Sequence, residues 1–454
     1  MTDTHRTDSL LSSVIQATVP RYTSYPTAPH FQPSVDAGVH AGWLGEVGRR
    51  GAPISLYMHV PFCRTICHYC GCSTRATRQE APLHGYVERL RREIALVAER
   101  LGRLEVSHIH WGGGTPNLLP VALIADIVGD IRRHFIVKDT TEHAMEFDPR
   151  LVTTEVARQL AELGVNRASL GVQDFEPAVQ EAIGRIQPLE RVEQTLAALR
   201  GAGISAINFD LIYGLPRQTR DSIRRTAMEA AGLAPSRISL FGYAHVPWFR
   251  PNQQLINEAD LPDSELRLEL SHIARNTIDA FGYEAIGIDH FARPDDELTD
   301  AVRTGTMRRN FQGYTTDTAE TLVGLGASSI SRTPWGYAQN ATDAVDWQTS
   351  IDAGQLPIVR GRAFADDDLL RSDVIEQILC VFGVDLAATA ARHGAAAGPL
   401  VADLDKLTPF IAKGWVRQTG DRIDIVEHRV ELARIVASAF DRYLGQGGRH
   451  SIAV

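Results

Sequence analysis

"ISLYMHVPFCRTICHYCGC" (residues 54–72) opens as a β-strand and closes on four of the five cysteines in a chain of 454 residues. Its first seven residues have the β-rich composition of a strand. Cys63, Cys67, Cys70 and Cys72 follow at once, and Cys380 stands alone in a helical stretch, read as a small buried apolar residue. Chemistry placed just past the carboxyl end of a strand is how parallel α/β proteins build active sites. The test of that reading is whether the pattern recurs.

It recurs five times. "VSHIHW" (106–111), "EHAMEF" (142–147), "RASLGV" (167–172), "AINFDLI" (206–212) and "RISLFGY" (237–243) are strand candidates. Amphipathic helical segments such as "LHGYVERLRREIALVAERL" and "TTEVARQLAELG" lie between them. "GGGTP", Asp148-Pro149, "VQDF", "YGLP" and "YAHVP" come directly after successive strands. Such alternation implies right-handed crossovers and a parallel sheet. The expected fold is α/β, a partial parallel (β/α)6 TIM-like barrel, with an open sheet as the alternative that spacing alone leaves standing.

Around this unit we expect four regions: a polar, Pro-containing N-terminal arm (1–35), the partial barrel (36–300), a barrel-completing and linker region (301–360), and a mainly helical C-terminal domain (361–454). A seventh strand-like run, "EAIGIDHFARP" (284–294), leads into a less regular stretch with "NFQGYTT" and "LVGLGASSIS". The last region has a winged-helix-like texture, with helical "DDDLLRSDVIEQILCVFGVDLAATAARHG" and a hairpin in "GWVRQTGDRIDIVE" turning near Gly420-Asp421.

The formal net charge of −9 argues against nucleic acid as the main partner, since phosphate neutralisation needs a basic face. No apolar run reaches the roughly 18 residues of a membrane span, and no secretory signal pattern opens the chain. A cytoplasmic protein is expected, and a cysteine cluster there is metal-binding or catalytic rather than disulfide-forming.

Two metals compete for the cysteines. A structural zinc using all four sulfurs is one reading, but zinc sites usually pair two close cysteines with two distant ligands. An iron–sulfur cluster suits closely spaced thiolates better. Neighbouring side chains in extended chain point to opposite sides, so Cys70-Gly71-Cys72 is awkward for a four-ligand cage. With Cys63, Cys67 and Cys70 as ligands, one iron stays open, and Cys72 is left for another, catalytic, role.

The CxxxCxxC triad after a strand resembles the signature of radical S-adenosylmethionine enzymes. "RYTSYPTAPHF" (21–31), "LYMHVPFCRTICHYCGC" (56–72), "HWGGGTP" (110–116), "LGVQDF" (170–175), "DHFARPDDEL" (289–298) and "RNFQGYTT" (309–316) together resemble the oxygen-independent coproporphyrinogen III oxidase family. The likeness runs from near residue 20 to beyond residue 330.

This resemblance implies a 4Fe–4S cluster on Cys63, Cys67 and Cys70, with two S-adenosylmethionine molecules beside it. It implies oxidative decarboxylation of two propionates of coproporphyrinogen III to vinyl groups by a 5′-deoxyadenosyl radical, giving protoporphyrinogen IX. Tyr57, Gly113, Glu146 and Ile330 match positions for the first S-adenosylmethionine. Tyr69, Gly114, Thr115, Gln173, Arg185, Asp210 and Ala244 match the second, with Tyr69 replacing an expected phenylalanine. A carboxylate partner suits Arg185, and amino or hydroxyl groups suit Asp210 and Gln173.

For the substrate's propionates, Arg21 and Tyr22 of the arm are candidates, with Phe311, Gln312 and Tyr314 completing the site. The plainer readings are a solvated tail for the arm and loop packing for "RNFQGYTT". His59 is either a partner of the cluster loop or a satisfied strand histidine. Expected partners are coproporphyrinogen III and a flavodoxin- or ferredoxin-type electron donor, with no nucleic acid, no membrane insertion and a monomeric chain. The competing function is a haem-binding chaperone of the same superfamily. Such relatives lack the "RYTSYPT" arm and the CxC ending that this chain has.

Overall fold

The computed structural model describes residues 9–446. Residues 1–8 of the expected arm and 447–454 of the expected C-terminal domain lie outside the described residues. The six expected strands form in the expected order: β1 (Ile54–Val60), β2 (Glu105–Gly113), β3 (Ile136–Phe147), β4 (Arg167–Gln173), β5 (Ala206–Tyr213) and β6 (Arg237–Gly242). Each pairs with the next in parallel. Helices link them, among them Ala81–Leu101 and Val121–His134 between β1 and β3 and Arg220–Gly232 before β6. Their starts are chemically marked: Thr153 caps the helix Thr154–Glu162 through Val156 N–H, and Thr219 forms a capping box with Ser222.

The sheet is larger than six strands. The run at 284–294 is not one strand: it divides into β7 (Glu284–Ile286) and β8 (His290–Ala292), with β8 antiparallel to both β7 and β6. Gly287 makes that division, holding φ at +54° where a Cβ would collide with the Tyr314 ring. On the other side β9 (Thr321–Leu325) lies parallel to β1, and β10 (Ile330–Thr333), β11 (Gly336–Asn340) and β12 (Ile358–Ala363) extend the edge antiparallel. The full order is β12-β11-β10-β9-β1-β2-β3-β4-β5-β6-β8-β7, a 12-stranded sheet whose two ends are not paired to each other.

The two faces of the parallel strands differ in chemistry. Leu56 and Met58 of β1, Ile109 and Trp111 of β2, and Leu170 of β4 pack under the helices with at most 2% exposure. The alternate residues Tyr57, His110, Glu146, Ser169 and Asp210 line a cavity on the other side. One carboxylate sits on the apolar side. Glu93, in the helix Ala81–Leu101, accepts from Gly326 N–H (2.7 Å), Asn340 Nδ2 (2.6 Å) and Trp347 Nε1 (3.1 Å). Burial pushes it up to about 7, and it ties that helix to the turn between β9 and β10.

A second apolar core joins residues of the arm (Val14, Tyr22, Tyr25) to Ile286, Ile288 and Tyr314 and to the C-terminal helices. Those helices, led by Asp368–Val381, accompany a three-stranded antiparallel sheet that includes the hairpin Val416–Thr419 and Arg422–Ile425. The arm itself crosses the open side of the sheet. Arg21 Nη2 donates to Gly242 O at the end of β6 (3.2 Å), Tyr22 OH donates to Asp441 (3.0 Å), and Phe31 stacks on Tyr337 of β11 at 5.6 Å. Gln32 then exchanges two backbone hydrogen bonds with Gly361 of β12.

Candidate active site

The polar face of the sheet encloses a cavity of about 630 Å³, within the usual range for a small-molecule site. Of the residues singled out in the sequence, Cys63, Cys67, Cys70, Cys72, Tyr57, Tyr69, Gly113, Gly114, Thr115, Glu146, Gln173, Arg185, Asp210 and Ile330 all line it, as do His59, Phe311, Gln312 and Tyr314. Ala244 does not; its carbonyl accepts from Gln253 Nε2 (3.1 Å) just beyond β6. Tyr22 lines a smaller neighbouring pocket with Asn310 and Phe311, and Cys380 is buried in the second core.

Backbone geometry brings the glycine run against the cysteine loop. Gly113 adopts φ +109°, and a Cβ at Gly114 would lie 2.7 Å from Phe62 O. Without side chains there, Gly114 N–H reaches Val60 O (2.8 Å) and Thr115 N–H reaches Phe62 O (2.8 Å), locking the two loops together. Glu146 accepts from Gly113 N–H (3.2 Å) and faces His110 Nε2 (3.4 Å). His59 bridges Tyr57 OH (3.1 Å) and Ser73 O (3.1 Å), and burial lowers its pKa.

Each of the three sulfurs expected to bind iron has its own donor. Thr115 Oγ1 lies 3.3 Å from Cys63, Arg185 Nη1 3.6 Å from Cys67, and the Cys72 N–H 3.4 Å from Cys70. Such donors stabilise thiolates bound to metal. Without metal, burial pushes the Cys63 thiol up to about 11. Among the described residues no group of three His, Cys, Asp or Glu is placed to hold one ion. All three cysteines line the cavity, and closely spaced thiolates are the usual ligands of iron–sulfur clusters. Cys72 shows accessible surface, yet protein surrounds it, because the surface it exposes belongs to the cavity. The donor set therefore fits a three-cysteine 4Fe–4S cluster with Cys72 facing the same space.

Charge is arranged around it. Burial opposes charge on Arg185, but Tyr69, Asp148 and Cys67 more than offset this and keep the guanidinium protonated. Arg150 and Arg185 likewise hold Asp148 below the ordinary carboxylate range against the effect of burial. Asp210 is raised by burial while accepting from Ser169 (2.9 Å) and Asn208 (2.8 Å).

Several residues of the site were not singled out in the sequence. His108, Glu142, Arg167, Asn208, Arg237 and Asp317 line the cavity floor, joined by the pairs His108–Asp317 (3.1 Å) and Arg167–Glu142 (2.8 Å). For all of these but Asp317, which lies outside any strand, the signal available was period-two alternation of polar residues in parallel strands, which are normally apolar on both faces. Asn252 and Gln253 had no such signal. Asn252 Nδ2 donates to the carbonyls of Cys67, His68 and Cys70 (3.1, 3.1 and 3.0 Å), and Gln253 Nε2 to that of Tyr69 (2.8 Å), so together they fix the cysteine loop.

Comparison with known proteins is consistent with this geometry. Residues 57–230 match the Radical SAM superfamily model. The chain is 48% identical over 438 residues to the oxygen-independent coproporphyrinogen III oxidase of Bradyrhizobium diazoefficiens, covering 96% of this chain and 97% of that protein. It is 41% identical to the protein of that name from Pseudomonas aeruginosa, covering 98% and 97%. Among solved structures, the Escherichia coli coproporphyrinogen III oxidase, described as a radical SAM enzyme, superimposes with a TM-score of 0.90 at 36% identity, over 94% of this chain and 100% of that one.

Proposed function

Because the chain belongs to the oxygen-independent coproporphyrinogen III oxidase family within the radical SAM superfamily, we infer that it is an oxidoreductase of haem biosynthesis. It converts coproporphyrinogen III to protoporphyrinogen IX by oxidative decarboxylation of two propionates to vinyl groups. The observation that carries this reading is the convergence of three donor-supported thiols, the glycine run and Glu146 on one cavity. The curated relatives bear the oxidase name, and the carrier alternative finds no support among them.

A 4Fe–4S cluster with S-adenosylmethionine supplies the one-electron chemistry needed to break an unactivated C–H bond, which no side chain can ionise. The protein's share is binding, orientation and exclusion of water. Cys63, Cys67 and Cys70 hold the cluster. We assign Tyr57, Gly113, Glu146 and Ile330 to one S-adenosylmethionine and Tyr69, Gly114, Thr115, Gln173, Arg185, Asp210 and Ala244 to a second. Cys72, facing the same cavity, is assigned a catalytic role.

For the substrate we assign Arg21, Tyr22, Phe311 and Gln312. Burial, with repulsion from Arg434 and Arg267, draws Arg21 down to about 10, against the attraction of Asp289. A tetracarboxylate substrate would add to the negative charge that Asp289 already supplies 3.6 Å from Arg434. In this reading the described part of the arm (9–35) closes the barrel formed by 36–300 and completed by 301–360, and the described part of the C-terminal domain (361–446) buttresses the arm. We further assign the chain a monomeric state and a cytoplasmic location, with a flavodoxin- or ferredoxin-type donor. No described helix is long and apolar enough to cross a membrane.

The deciding experiment is an anaerobic assay of the reconstituted protein that follows 5′-deoxyadenosine and protoporphyrinogen IX together. Both should form, in fixed proportion. Cofactor cleavage without vinyl formation, or haem binding without turnover, would overturn the reading.

A further inference from the structure

The outer side of the cysteine loop is basic in an otherwise acidic protein. Residues 61–79 contain Arg64, Arg75 and Arg78 and no acidic residue, against a net charge of −9 for the whole chain. All three side chains are exposed. Among the described residues none of them joins an ion pair, whereas Arg89 and Arg92 close by in the chain both pair with Asp352 (2.7 and 3.1 Å). Arg64 adjoins the ligand Cys63, and Arg75-Ala76 pairs as a strand with Phe62-Cys63, about 4.8 Å away across the ladder.

Four large apolar side chains on segments fastened to the same loop are also exposed. Phe249 is 67% exposed, Leu255 65%, Ile186 57% and Trp248 56%. Asn252 and Gln253 hold its carbonyls, Arg250 reaches Ser73 Oγ (3.5 Å) and stacks over Phe249, and His68 N–H donates to Ile183 O (2.9 Å). Large apolar side chains grouped on a surface mark an interaction site. Three exposed arginines on that loop, in no ion pair among the described residues, favour an acidic partner and speed its approach.

We propose that this face, Arg64, Arg75 and Arg78 with Trp248, Phe249 and Leu255, docks a small acidic one-electron carrier protein over the cysteine loop. The inference rests on the cluster assignment above. The carrier is oxidised by one electron and the cluster behind Cys63 is reduced by one; no other atom moves between the two proteins.

The test uses the reconstituted holoenzyme and a flavodoxin of net negative charge as probe. Calorimetry should show affinity for the oxidised flavodoxin that falls steeply as salt is raised from 20 to 200 mM. Arg64→Glu/Arg75→Glu/Arg78→Glu should weaken binding by about tenfold or more, and Trp248→Ser/Phe249→Ser should weaken it without altering the salt slope. Turnover driven by reduced flavodoxin should fall in step, while turnover driven by dithionite stays at the wild-type rate. Wild-type affinity indifferent to salt, or unchanged by the charge reversals, would overturn the proposal. So would a wild-type dimer that the same substitutions split, which would give the face to a second copy. Failure of dithionite to drive wild-type product formation would instead sink the oxidase reading, while the calorimetry would still decide the surface.

Discussion

The two faces of the six central strands obey different rules. One face, with Leu56, Met58, Ile109 and Trp111, is sealed under helices and follows the ordinary logic of a parallel sheet. The other carries histidines, carboxylates and guanidiniums at alternate positions, a costly choice unless something is bound there. The strand backbone is shared, so stability and chemistry are separated by a single step in sequence. Substitutions one residue apart should therefore fail in different ways.

The largest effect is expected on the polar side. Cys63→Ser, Cys67→Ser or Cys70→Ser should abolish iron binding and S-adenosylmethionine cleavage outright, read by iron analysis and 5′-deoxyadenosine release. Cys72→Ser should instead retain the iron and lose product; loss of iron in that variant would make Cys72 a ligand and remove the open metal position. On the apolar side Leu56→Ala should cost about 2–5 kcal/mol in urea unfolding, while the folded fraction keeps its cofactor-cleaving rate per molecule.

Substituting Glu93 tests the carboxylate that sits on the apolar side. Its folded value of about 7 lies above its ordinary 4.5, so between these values the folded state holds a proton that the unfolded chain has lost. Stability then falls as pH rises from about 4.5 through 7 and is level above. Glu93→Gln should remove that slope, a change on the order of 3 kcal/mol across the window; parallel pH profiles for the two proteins would refute it. The smallest effect belongs to Asp210→Asn. Thermal stability should hold or rise, because a buried carboxylate is removed, while the KM for S-adenosylmethionine rises roughly tenfold, about 1.4 kcal/mol.

How much of this was legible depended on whether a signal was local. The six parallel strands announced themselves, being β-rich runs set between amphipathic helices. "LVGLGASSIS" did not, because its glycines and serines read as loop and only pairing with β1 makes Thr321–Leu325 a strand. The run at 284–294 read as one strand because nothing in composition marks Gly287 as a left-handed break. Within the site, the loop residues stood out by density of chemistry, and Cys63 to Cys72 by spacing. His108, Arg167 and Arg237 were equally visible as alternation within strands, but reading them as cavity residues required knowing that helices cover only the other face. Asn252 acts through contacts to carbonyls more than 180 positions back in the chain, which no local pattern encodes.

The strap from Arg21 to Gln32 has a consequence for how the molecule is made. Its anchors, Gly242, Gly361 and Asp441, leave the ribosome long after the strap itself, so the strap is among the last segments to find its seat. Until Asp441 has emerged, Tyr22 has no carboxylate to receive its hydroxyl, and that end of the strap stays unfastened.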